Sequence, residues 1–277
     1  MTRDGIAFRY VREGRGRPLV VIGSSRFYPR AFSADLRRHF DMVFVDARHF
    51  IPSYRPAREE LAGLTPETLA DDVEALRVHL GVDRWAVLGH SVHVQIALAY
   101  ARKYPDRTSH LVMVAGEPYG GAEPVEMARK LWDEQASDER KERHAANRRA
   151  IEDALAAAPE GRRAIVDYIG NAAVFWADPT YDCTPLWEGM ETGPAFEHLF
   201  AGLPSREEIR SALEAIRVPM LLVLGRLDFC IAHTAWEKII GELPSLTYVL
   251  IEDGSHNPQT ENHERFDREL VEWFARN

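Results

Sequence analysis

Serine, aspartate and histidine stand at three places in this sequence where a buried strand gives way to a turn. The first is Trp85-Ala86-Val87-Leu88, which runs into Gly89-His90-Ser91-Val92-His93 and then into the apolar stretch Val94 to Ala101. A serine on a sharp strand-to-helix turn is pushed out at the carboxyl edge of a sheet. There its hydroxyl can attack a carbonyl, and the N–H of the next residue, Val92, can donate to the developing oxyanion. Serine is also a favoured helix N-cap, and caps far outnumber nucleophiles. The second place is Met220 to Leu224 followed by Gly225-Arg226-Leu227-Asp228, and the third is Tyr248 to Ile251 followed by Glu252-Asp253-Gly254-Ser255-His256-Asn257-Pro258. A turn aspartate and a loop histidine are ordinary when met singly. Together, at three strand ends, they supply the nucleophile, orienting acid and general base of acyl transfer: Ser91, Asp228 and His256. Ser91 and His256 are expected at solvent-reachable loop ends.

The elements that must position these residues follow from short apolar runs separated by helical stretches. Leu19 to Ile22, Met42 to Val45, Trp85 to Leu88, Leu111 to Val114, Met220 to Leu224 and Tyr248 to Ile251 are continuous rather than alternating, as parallel strands covered on both faces require. Ile6 to Val11 reads as a leading strand, closed by the turn Glu13-Gly14-Arg15-Gly16. Helices are predicted at Pro66 to Leu80, Val92 to Tyr104, Ala235 to Glu242 and His263 to Phe274. This alternation predicts an α/β fold with a mostly parallel sheet and helices on both faces. It stops between Glu117 and about Ser205, where charged helical stretches such as Ala122 to Asp153 precede an aromatic segment from Phe175-Trp176 to Trp187. The predicted division is a core of residues 1–116 and 206–277 with a helical cap insertion, 117–205, that roofs a pocket.

Composition narrows the function classes. The 277 residues are 45% hydrophobic and 28% charged, which excludes disordered and fibrous folds. A net charge of −9 offers no electrostatic footprint for nucleic acid or an anionic membrane, so neither is expected as a partner. Two cysteines, Cys183 and Cys230, form no Cys-x-x-Cys pair and no disulfide framework, which suits a reducing compartment. With no signal-peptide pattern at Met1 to Gly5 and no apolar run of membrane length, a cytoplasmic location is expected.

With these residues in view, the chain resembles the α/β-hydrolases over nearly its whole length, and the order Ser, Asp, His is that of their triads. The matching stretches are Asp46-Ala47-Arg48, Tyr104-Pro105-Asp106-Arg107, Gly225-Arg226-Leu227-Asp228 and Gly254-Ser255-His256-Asn257-Pro258-Gln259 with Glu261; the last is similar to proline iminopeptidase-like members. The resemblance implies that Ser91 attacks a carbonyl, His256 relays the proton and Asp228 orients His256. It also implies a second oxyanion donor in Ile22-Gly23-Ser24-Ser25-Arg26, assigned to the N–H of Ser24, with Ser25 lending polar support. No cofactor or metal is implied, and the substrate is a small molecule.

Two departures set the open questions. His93 stands where the elbow pattern has a small residue; it is a satisfied structural histidine, a substrate contact, or a metal partner of His90, for which no third ligand lies at helical spacing. The oxyanion stretch lacks the glycine-rich run of true iminopeptidases, which favours an ester, lactone or small amide as substrate over an N-terminal proline. Trp176, Tyr181, Trp187 and Phe196 are candidate pocket lining, with Glu117 and Glu188 as candidate anchors for a substrate amine. An aminopeptidase and a slow or non-catalytic ligand-binding homologue remain the competing readings. The oligomeric state is not legible.

Overall fold

The turn at Asp4-Gly5 decides how the chain begins. Both residues have positive φ, 51° and 75°, the backbone of a tight hairpin turn. It folds β1 (Thr2–Arg3) onto β2 (Ile6–Ala7), with Arg3 opposite Ile6. The single leading strand expected from Ile6 to Val11 is therefore two strands, the second being β3 (Tyr10–Gly14), because the hairpin consumes the pairing capacity of Ile6 and Ala7. The computed structural model describes residues 1–277 apart from Ala201, Glu242 and Pro244, and leaves the side chain of Glu197 undescribed.

The apolar runs become β4 (Arg17–Gly23), β5 (Phe40–Asp46), β6 (Trp85–His90), β7 (Thr108–Val114), β8 (Met220–Gly225) and β9 (Leu246–Ile251). With β3 they form a seven-stranded sheet in the order β3-β5-β4-β6-β7-β8-β9. Only β3 runs antiparallel to its neighbour; every other pairing is parallel. Successive side chains in a strand point to opposite faces. Val20 and Ile22 accordingly pack with the helices Pro66–His79 and Val94–Lys103, while Leu19 and Val21 pack with Phe266, Leu270 and Trp273 of the carboxyl-terminal helix His263–Arg276. Burial on both faces is what makes the runs continuous. The helix expected from Ala235 spans His233–Ile240; its expected end, Glu242, lies outside the described residues.

Between β7 and β8 the described residues hold helices and no strand, beginning with Ala122–Gln135 and Asp138–Ala150 and ending with Arg206–Ala215. The charged stretch predicted from Ala122 breaks where Ser137 caps the second helix, its hydroxyl accepting from the Arg140 N–H at 3.2 Å. No helix among the described residues is long and apolar enough to cross a membrane.

Candidate active site

Parallel strands deliver their carboxyl ends to one edge of the sheet, and the three candidate catalytic side chains emerge there. Ser91 follows β6 immediately, Asp228 lies three residues past β8, and His256 five residues past β9. The backbone of Ser91 is left-handed, φ 56°, in a residue that carries a Cβ; such strain, held by the surrounding fold, is characteristic of functional turns. Gly89 lets the turn close, since a Cβ there would lie 2.5 Å from the His93 carbonyl oxygen and 2.7 Å from the Cα of Val94. The Ser91 Oγ is 3.1 Å from His256 Nε2, and His256 Nδ1 is 2.8 Å from Asp228 Oδ2. The other Asp228 oxygen accepts the N–H groups of Cys230 at 2.9 Å and Ile231 at 2.8 Å, which fixes the carboxylate.

The acid and base loops are fastened to each other. Leu227 N–H donates to the Gly254 carbonyl at 2.9 Å, and Ser255 Oγ donates to the Leu227 carbonyl at 2.8 Å. A Cβ at Gly225 would lie 2.2 Å from the Ser255 carbonyl oxygen, so only glycine permits that approach. The base loop is also held from the helical side: His256 N–H and Asn257 Nδ2 donate to the Phe175 carbonyl, each at 3.2 Å. Glu261 ties the same parts together, accepting from the N–H groups of Ser255 (2.8 Å), Asn257 (3.1 Å) and Ala177 (2.6 Å). Asp228 and His256 are therefore buried, at 0% and 2% exposure, rather than at the solvent-reachable loop end expected for His256. The reason is the Phe175–Ala177 backbone lying across the loop.

A cavity of about 430 Å³ opens over these groups. Its walls are largely aromatic, with Phe27, Phe50, Tyr168, Phe175, Trp187 and Phe196, and Ser91, His256, Val92 and Ser24 reach it from the sheet edge. The loop bearing Ser24 is pinned by the Gly23 carbonyl accepting from Ala47 N–H at 2.8 Å and by Ser25 N–H donating to Asp46 at 2.6 Å. The Ser24 hydroxyl accepts from the N–H groups of Arg26 and Phe27, each at 3.1 Å. Burial opposes the imidazolium of His256, but the charge and hydrogen bond of Asp228, with Glu117 and Glu261 behind, raise it above the usual histidine range. Glu117 lines the cavity, and burial, with a smaller push from Asp228 against the pull of His256, takes its carboxyl up to about 7.

Of the other sequence candidates, the structure brings His93, Trp187 and Phe196 to the cavity and leaves Ser25, Trp176, Tyr181 and Glu188 out of its lining. Ser25 is buried and donates its backbone N–H to Asp46. Trp176 is fully buried against Tyr181, ring centroids 4.3 Å apart, within the apolar core that the helical region shares with one face of the sheet. Glu188 is exposed, with its carbonyl accepting from Arg30 at 2.9 Å. The His93 ring is buried, bonded to His90, Tyr28 and His49. Sequence reading passed over Tyr28 and His49 and gave Glu261 no role. The position of His49 just past β5 was the available signal; Tyr28 carried none. Among the described residues, no three His, Cys, Asp or Glu side chains gather as metal ligands.

The profile of the alpha/beta hydrolase fold family matches residues 21–263. The chain belongs to the α/β-hydrolase family. This α/β-hydrolase is 31% identical over 273 residues, 98% of this chain and 96% of the other, to the AB hydrolase superfamily protein YclE of Bacillus subtilis (strain 168). It is 32% identical over 127 residues, 42% of this chain and 38% of the other, to a probable proline iminopeptidase of Streptomyces coelicolor (strain ATCC BAA-471 / A3(2) / M145). The fold is shared with the enol-lactonase from Burkholderia xenovorans LB400, with a TM-score of 0.63, 19% identity and 98% of each chain covered. Membership of this family supports hydrolase activity.

Proposed function

We propose that this hydrolase cleaves a carboxylic ester, lactone or small amide through an acyl-enzyme formed on Ser91. The observation that carries the reading is the unbroken line from Ser91 Oγ to His256 (3.1 Å) to Asp228 (2.8 Å) at the floor of an apolar cavity. In the proposed reaction His256 Nε2 takes the hydroxyl proton as Ser91 Oγ bonds to the substrate carbonyl carbon. The oxyanion is met by the N–H groups of Val92 and Ser24, and His256 returns the proton to the leaving oxygen or nitrogen as its bond to carbon breaks. Water, deprotonated by the same imidazole, then releases the acid. Side chains and backbone supply every role, so the chemistry calls for no cofactor. Residues 117–205 serve as the cap over a core of 1–116 and 206–277, and the aromatic walls suit an apolar acyl or alcohol portion.

A specific observation keeps the aminopeptidase reading in play: Glu117 places a carboxyl in the cavity, where, ionised, it would offset burial of a substrate ammonium. Glu188, exposed and outside the cavity, is not suited to that task. The test is fluorophosphonate labelling followed by a panel of p-nitrophenyl esters, lactones and proline p-nitroanilide. Labelling of Ser91 with ester or lactone turnover supports the proposal. An unlabelled Ser91 removes it in favour of a ligand-binding homologue, and efficient anilide cleavage that collapses in Glu117→Gln replaces it with the peptidase.

A further inference from the structure

Four buried or cavity-wall side chains that the proposed reaction does not consume stand in one line beside the nucleophile. Tyr28 follows the oxyanion loop, His49 follows β5, and His90 and His93 flank Ser91. A carbonyl can only accept, so two contacts fix where protons lie: His90 Nε2–H donates to the His256 carbonyl at 2.8 Å, and His93 Nδ1–H to the His90 carbonyl at 3.0 Å. The Tyr28 hydroxyl lies 3.1 Å from His93 Nδ1 and 3.2 Å from His90 Nδ1. The one Nδ1 proton of His93 is shared between the His90 carbonyl and the Tyr28 oxygen, and Tyr28 donates its own proton to the unprotonated His90 Nδ1.

His93 Nε2 faces His49 Nε2 at 2.9 Å, with ring planes within 16° and centroids 5.1 Å apart, a geometry of two rings meeting edge to edge. Burial, with a smaller contribution from neighbouring histidines, holds His49 and His90 well below the usual imidazole range. Burial likewise brings His93 down to about 4 against the pull of the His90 carbonyl. Each ring is thus neutral with one proton, and His49 is the donor to His93. Apart from the share of the His93 proton that goes to the His90 carbonyl, the donors run from His49 through His93, Tyr28 and His90 to the His256 carbonyl.

The same rings hold the oxyanion loop. Gly23 has φ 138°, and a Cβ there would lie 2.5 Å from Tyr28 Cε2 and 2.9 Å from His93 Cε1. At the far end, the His49 carbonyl accepts from Gly193 N–H at 2.7 Å, and its ring meets Phe196 of the cavity wall at 5.7 Å.

We propose that His49, His93, Tyr28 and His90 form a one-way hydrogen-bond line that positions His256 relative to the oxyanion loop, and that this line sets the rate of acyl transfer. The proposal rests on the serine-hydrolase reading. It gives His93 a task that a small residue at that place cannot perform, and it makes Tyr28 the hub joining nucleophile turn, oxyanion loop and base loop. The charged groups that face His256 are Asp228, Glu117 and Glu261, and none belongs to the line. His90, a member of the line, also faces His256 with ring centroids 5.1 Å apart, so Tyr28→Phe, which leaves every imidazole in place, is the variant whose titration reads the alignment of His256 with Asp228.

The test compares Tyr28→Phe, which keeps the ring over Gly23 and removes the hydroxyl, with His90→Leu and His90→Gln, the last retaining an amide donor for the His256 carbonyl. The readouts are kcat and KM on a p-nitrophenyl ester, the acid limb of kcat/KM, the downfield proton resonance of His256 Nδ1–H, and Tm. Tyr28→Phe and His90→Leu are expected to lower kcat about tenfold or more with little change in KM, as misplacement of a catalytic group does. They should also move the acid limb to lower pH and alter the resonance, while His90→Gln recovers most of the loss. Wild-type kcat and resonance in Tyr28→Phe and His90→Leu would overturn the proposal, and so would a His90→Gln no better than His90→Leu. If Tyr28→Phe does not fold, the His90 pair decides. If Ser91 in the wild type takes no fluorophosphonate, the hydrolase reading fails, and the His256 resonance alone still decides whether the line aligns that residue.

Discussion

The sheet edge and the helical region above it satisfy their backbones in different ways. Along the sheet, carbonyls are paired strand by strand, and β6, β8 and β9 deliver Ser91, Asp228 and His256 as a consequence of parallel register. In the irregular stretch 173–190, guanidinium groups take over that pairing. Arg140 Nη1 donates to the carbonyls of Ala173 and Trp176, each at 2.8 Å, and its other nitrogen reaches Ala177. Arg30 serves Leu186 at 3.2 Å and Glu188 at 2.9 Å, and Arg162 serves Met190 at 2.6 Å. Buried carbonyls must find donors, and a charged fork supplies several at once. The difference teaches that the sheet fixes the proposed triad through a repeated pattern, whereas the roof depends on a few individual long side chains. Substitutions in the two regions should therefore fail in different measurements.

The largest effects belong to the edge. Ser91→Ala and His256→Ala are each expected to lower kcat about a millionfold, and the double variant to be scarcely worse, because the two act as one unit. Single and double variants compared at unchanged Tm check this; additive losses would separate the residues. Next is Asp228→Asn, for which a loss of about ten-thousandfold is expected, since the amide can hold His256 in the wrong tautomer. A rate within tenfold of wild type would show that another acid orients His256.

The roof should respond otherwise. Arg140→Met leaves buried carbonyls of Ala173 and Trp176 without a donor, at about 1–3 kcal/mol each. The expected result is a Tm lower by several degrees and a raised KM, with kcat less affected, because Phe175 lines the cavity next to these carbonyls. A kcat loss as large as that of Asp228→Asn would erase the distinction between the regions.

The smallest expected effect concerns pH. In the proposed reaction His256 must be neutral to accept the Ser91 proton, so kcat/KM is expected to rise with pH through its raised titration. Ionised Glu117 helps to raise it, and Glu117 itself titrates at about 7. Glu117→Gln removes that negative charge, and the acid limb should move to lower pH by a fraction of a unit and become a single titration. A profile of kcat/KM over roughly pH 5 to 9 reads the shift. Glu188→Gln, altering an exposed side chain outside the cavity, should leave the profile in place.

Much of the fold was legible because burial on both faces writes itself into the chain as unbroken apolar runs, and each strand grew only by a few residues from its run. The proposed triad was legible for a related reason: in a parallel sheet, a residue just past a strand end has a known edge to occupy. The first strand was misread where Asp4-Gly5 turned the chain sooner than the apolar pattern shows. In the helical region neither rule applied. Trp176 and Trp187 share a segment and a residue type, yet one is enclosed in the core and the other lines the cavity. Nothing in their spacing separates them.

The sequence alone determined which parallel strands exist, which of their ends carry Ser91, Asp228 and His256, and that a long helical stretch interrupts the alternation, because these depend on local periodicity and chain order. Only the tertiary structure decided the rest. Burial of His256 needed the Phe175–Ala177 backbone to lie on its loop. The place of His93 needed Tyr28 and His49 to meet it from two separate parts of the chain. Contacts of that kind are set by how elements pack, and no short-range pattern in the chain encodes which distant partner will satisfy a buried polar group.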